Sequence, residues 1–94
     1  MSPDARIMFS QPVGTEGLPG FPDALAEVAE ARRIVEAVRL PVARSCPAWV
    51  EVANRLTLAQ ATRNPAHAEA ARLALALAVA GDRRASRRPW AMAA

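Results

Sequence analysis

The sequence predicts an all-α fold: a small three-helix domain, in which an antiparallel helical hairpin follows a first helix, with an extended N-terminal arm and a basic C-terminal tail. Three observations predict it. Apolar residues recur at three- and four-residue spacing through three segments, each opening at a proline. The 94 residues are 52% hydrophobic, enough for one packed core, but the aromatic share is 4% and tyrosine is absent, so alanine carries much of the apolar count. Four prolines and three glycines crowd into residues 1–22, which leaves the helical patterns to the rest.

The arm covers residues 1–21. Ile7, Met8 and Phe9 form an apolar knot in it that can make a short strand or tuck against the helices. The three-helix domain covers residues 22–81. Its first helix is expected over 22–39, with Pro22 at the first position and Asp23 near the positive helix end. Ala24, Val28, Ala31, Val35 and Val38 mark its inner face, and Glu30 with Arg33 and Glu36 with Arg39 stand at pairing distance on the wet side. Pro41 stops it. The second helix is expected over 47–63, capped by Ser45 or Cys46, with serine the better chemical choice. Trp49, Val52, Ala53, Leu56 and Ala59 line one face. The third is expected over 65–80, with Asn64 before it as N-cap and Gly81 as a left-handed C-cap.

The second half of that third helix, from Leu73 to Ala80, has no polar side. A helix apolar all round is buried on several sides or lies in an interface. Leu73 and Leu77 fall near one line, and Leu75 and Val79 near another on the far side. One line packs inward and the other faces out; Leu75 and Val79 are expected on the outward, partner-binding face, and the roles of the two lines exchange if Leu73 and Leu77 are the exposed pair.

The charge distribution is uneven. All twelve basic residues are arginine, and the formal net charge is +3. Residues 1–82 hold eight of the arginines and all nine acids; residues 83–94 hold four arginines and no acid. The tail, residues 82–94, is therefore the basic part, and Arg83, Arg84, Arg87, Arg88 and Trp90 are its candidate contact residues. Arginine meets carboxylate or phosphate with a planar fork, and tryptophan can stack on a base. Like charges four residues apart, Arg83 with Arg87 and Arg84 with Arg88, predict a loose segment in the unbound chain. Arg83 to Ser86 also has the form of a basophilic phosphorylation site, a match too short to carry weight.

Catalytic and metal constellations are thin. Cys46 and His67 each occur once. No internal disulfide and no zinc quartet can form from them. They fall at the starts of successive antiparallel helices, which separates them by most of a helix length. Gly14, Gly17 and Gly20 fit neither a phosphate loop nor a dinucleotide fingerprint. The pairs Glu27/Glu30 and Asp23/Glu27 belong to a solvated helix face. The longest apolar run is far below the about 20 residues a membrane span needs, and the first thirty residues lack a secretory apolar core.

The stretch from Asn64 to Ala70, followed by Leu73, Gly81 and Asp82, resembles the start of a tetratricopeptide helix. Its large aromatic positions are alanine, and no second copy follows at a period of about 34 residues, so it is read as a generic helical hairpin without a peptide-binding role. A DNA-reading helix-turn-helix is disfavoured because the third helix offers no base-reading side chain between Arg72 and its end.

These readings converge on a non-enzymatic interaction module, an accessory subunit, adaptor or inhibitor. It is expected in the cytoplasm, without cofactor or metal, docking on a larger protein or a second copy through apolar helix faces while the arginine tail grips an acidic surface. The alternative is a nucleic-acid binder working through Arg83, Arg84, Arg87, Arg88 and Trp90.

Overall fold

A computed structural model describes residues 7–40 and 46–86. Two antiparallel strands precede the helices: β1 (Met8–Gly14) and β2 (Ala24–Glu27). Helix α1 (Val28–Ile34) runs on into a π-helical turn at Val35–Arg39. Helices α2 (Pro47–Thr62) and α3 (Pro65–Ser86) form the hairpin. The architecture is mostly helical, as expected, but the all-α reading is corrected by the strand pair.

The strand pair arises where the sequence had suggested an arm and the first turns of a helix. Phe9 and Val13 point into the core from β1, and Leu25 from β2. The register runs Met8↔Glu27, Val13↔Leu25 and Gly14↔Ala24, with an irregularity between Met8 and Val13. Pro12, which has no N–H to give a ladder, lies inside that irregular segment. Between the strands, Thr15 is buried and organises the turn. Its Oγ1 donates to the Pro22 carbonyl at 2.7 Å, and its N–H donates to the Asp23 carbonyl at 2.9 Å. These bonds hold Pro22 and Asp23 in the turn; the chain stays extended through Glu27 and turns helical at Val28. Gly20 takes φ +84°, and a β-carbon there would stand 2.7 Å from a Val38 methyl. Only glycine satisfies both conditions.

One core unites these elements. Leu25, Val28, Val35, Trp49, Val52, Leu56 and Leu75 are fully buried, and Phe9, Val13 and Leu18 belong to the same cluster. The boundary drawn at residue 21 therefore passes through the core. All five α2 residues expected on one face, Trp49, Val52, Ala53, Leu56 and Ala59, are buried.

The helix ends follow local chemistry. Cys46 occupies the N-cap of α2 without a side-chain cap bond, and Pro47 takes the first turn. Arg63 closes α2 at φ 57°, its N–H donating to the Ala59 carbonyl at 2.8 Å. Asn64 Oδ1 accepts the Ala66 N–H at 2.8 Å, the expected cap of α3. The expected stop at Gly81 does not occur: α3 continues to Ser86. A mid-helix glycine costs about 1 kcal/mol against alanine. The extra turns carry Asp82 and Arg83 to partners on other elements, and those contacts offset the cost.

Candidate functional site

Two clusters use the extended end of α3. Asp82 Oδ1 accepts the Trp49 indole N–H at 3.2 Å, and its Oδ2 meets Arg39 Nη2 at 2.5 Å. The Arg39 guanidinium carbon lies 5.8 Å from the Phe21 ring centre and 5.4 Å from that of Trp49, and the rings are 5.9 Å apart at 44°. The cation is met by two π faces and a carboxylate. Arg39 therefore pairs with Asp82 and not with Glu36 as expected; Glu36 pairs with Arg32. This cluster ties the π-helical turn to α2 and α3 and is structural. Arg83 Nη2 donates to the carbonyls of Gly14, at 3.4 Å, and Glu16, at 2.9 Å. Arg84 is exposed on the last turn. Arg87, Arg88 and Trp90 lie outside the described residues.

The two lines along α3 are placed opposite to the sequence assignment. Leu75 and Val79 are buried, whereas Leu73 is 50% and Leu77 72% exposed. The inward line also holds Ala68, Ala71 and Ala78, small residues over which α2 can approach closely. The outward leucines line a shallow groove of about 420 Å³ between α2 and α3, together with Ala48, Glu51 and Arg55 of α2 and Ala70 and Ala74 of α3. Glu51 and Arg55 form an ion pair one helical turn apart, both half exposed. The exposed Leu58 lies one further turn along the same side of α2.

A second hollow, of about 460 Å³, lies where β1 meets the start of α3, lined by Ile7, Met8, Ser10, Arg63, Pro65 and Glu69. Glu69 is its principal acid. Hydrogen bonds from Arg72 first, then from the Ser10 hydroxyl at 2.8 Å, hold its carboxyl down to about 2 against an ordinary 4.5. Such a group is a fixed anion near neutral pH and neither donates nor takes a proton there.

Among the described residues no nucleophile–base pair is assembled. Cys46 caps the start of α2, and His67 sits in the first turn of α3, where Nδ1 lies 2.7 Å from the Thr62 hydroxyl oxygen. The sixteen residues of α2 separate the two by about 24 Å at 1.5 Å per residue. Among the described residues no three His, Cys, Asp or Glu side chains cluster as a metal site, and no helix is long and apolar enough to cross a membrane. No protein-family model, curated protein or solved structure matches the chain.

Proposed function

We propose that the chain is a non-enzymatic protein-interaction module, and that it docks through the outer face of α3. A single observation carries this reading: Leu73 and Leu77 stand exposed over an apolar groove on a helix whose opposite face is fully packed. Exposed large aliphatic side chains grouped over a groove mark an interaction surface more often than leucines scattered singly. The groove suits an amphipathic helix, which would lay its own apolar side chains between α2 and α3. Arg84, on the same outer line about two turns beyond Leu77, would meet an acidic partner group at the groove's end.

The test is a photo-crosslinking residue placed at position 77 of the full chain, compared with one at the solvent-facing Ala29 on α1. Covalent capture of protein from position 77 alone, abolished by Leu73→Glu, is the expected result. Equal capture from both positions, or none, rejects the docking reading. Capture of nucleic acid that falls away steeply between about 50 and 200 mM salt would replace it with the nucleic-acid alternative.

A further inference from the structure

The outer face of α3 carries more order than exposure alone. Ala66, Ala70, Leu73, Leu77 and Ala80 follow one another at alternating four- and three-residue steps. That alternation is the seam spacing of two helices packed side by side. The line is diametrically opposite Leu75, so α3 presents one face to its own core and a second, equally regular face to solvent.

The flanks of this seam differ. On the side toward α2 stand Ala74 and Gly81. On the side toward β1 stand Glu69, Ala76 and Arg83, each seven residues from the next. An acid and a base thus lie symmetrically about a small residue. In a parallel pair of such helices, equal flanks do not face each other. In an antiparallel pair they do, and Glu69 of each copy falls opposite Arg83 of the other, with Ala76 near the two-fold axis. The same register sets Leu73 against Leu77 twice.

From this self-complementarity we infer that the occupant of the groove is a second copy of this chain, bound antiparallel through α3 about an axis near Leu75 and Ala76. The inference rests on the docking reading above. Glu69 and Arg83 are already hydrogen-bonded within the chain, to Arg72 and Ser10 and to the Gly14 and Glu16 carbonyls. Both keep solvent-accessible atoms, and a carboxylate and a guanidinium each have room for further partners. The arrangement is isologous, so each favourable pair occurs twice.

Sedimentation equilibrium of the full chain tests it. The expected species has twice the 10.0 kDa chain mass. Leu77→Glu is expected to weaken association by at least about a hundredfold, because it places two charges at the centre of the seam. Glu69→Arg alone weakens it about tenfold, and adding Arg83→Glu to that variant restores it to within about threefold. Circular dichroism of each variant checks that the helices remain. Spin labels on Ala66→Cys in a Cys46→Ser chain read the orientation. The antiparallel pair separates them by about 27 Å along the axis at 1.5 Å per residue, while a parallel pair brings them to about 10 Å. A short label distance, a dimer indifferent to Leu77→Glu, or a monomer at high micromolar concentration overturns the inference. A monomer that still gives the position-77 adduct with another protein overturns self-association alone; a monomer without any adduct removes the docking reading as well.

Discussion

The two faces of α3 are nearly the same in composition and opposite in fate. The inner face presents Ala68, Ala71, Leu75, Ala78 and Val79; the outer presents Ala66, Ala70, Leu73, Leu77 and Ala80. The first is packed and the second is solvent-facing around its leucines. Side-chain hydrophobicity therefore did not choose between them. The choice was made by the polar residues that accompany each line. Asp82 follows the inner line and reaches Trp49 and Arg39, and Arg83 beside it reaches the turn after β1. These bonds fix the rotation of α3 about its own axis.

Breaking the inner face at its largest neighbour should have the largest effect. Trp49→Ala removes a fully buried indole together with the donor to Asp82, and should cost about 3–5 kcal/mol in chemical denaturation. Unfolding unchanged by that substitution would show that the indole does not hold α3 in its rotation. Leu75→Ala, on α3 itself, should cost about 2–5 kcal/mol. The outer counterpart, Leu77→Ala, should change stability by no more than about 0.5 kcal/mol at high dilution, where association contributes nothing. Equal losses for the two leucines would erase the distinction between the faces.

Gly81 lies between the faces, inside the helix, and a β-carbon there would meet nothing within 4 Å. Gly81→Ala should therefore stabilise the protein by about 0.5–1 kcal/mol, through the lost freedom of the unfolded chain. A decrease in melting temperature would mean that the helix is not continuous at this point. The smallest effect expected is on acid stability. The Glu69 carboxyl is held down to about 2 in the folded chain against 4.5 unfolded. The unfolded chain thus binds the proton first. The stabilisation is complete above the unfolded value and is lost as pH falls from about 4.5 to about 2. Glu69→Gln should flatten that stretch of the stability–pH curve, and a curve identical to wild type would show that its bonds to Arg72 and Ser10 are not kept in solution.

Much of the hairpin was legible in the sequence. Pro47 and Pro65, the Asn64 cap and the five-residue face of α2 are local signals, and they bear out residue by residue. The strand pair was legible only in part: the knot at Ile7, Met8 and Phe9 left a short strand open, but its partner over Ala24–Glu27 read as helix. The cause of the pairing is Thr15, whose bonds to the Pro22 and Asp23 carbonyls close a turn across seven and eight residues and overrule a proline that suits a helix start. The length of α3 was hidden for a similar reason. Glycine followed by Asp82 and two arginines has the form of a terminus, and only partners more than thirty residues earlier show that it is not. The rotation of α3 was hidden as well: two apolar lines of near-equal composition give no local signal for which one faces inward, and the Asp82 tether to Trp49 and Arg39 lies far off in sequence.

The tethers between α3 and the earlier elements set an order of events. Ser10 finds Glu69, Gly14 and Glu16 find Arg83, and Trp49 finds Asp82, across 59, 69, 67 and 33 residues of chain. A hairpin of α2 and α3 can form as soon as its own residues exist. The strand pair has no α3 to lie on until synthesis has passed Arg83. A chain leaving the ribosome therefore carries Phe9, Val13 and Leu18 without their α3 cover until that helix is made, and the step that finally covers them is a closure over long loops, the slow kind.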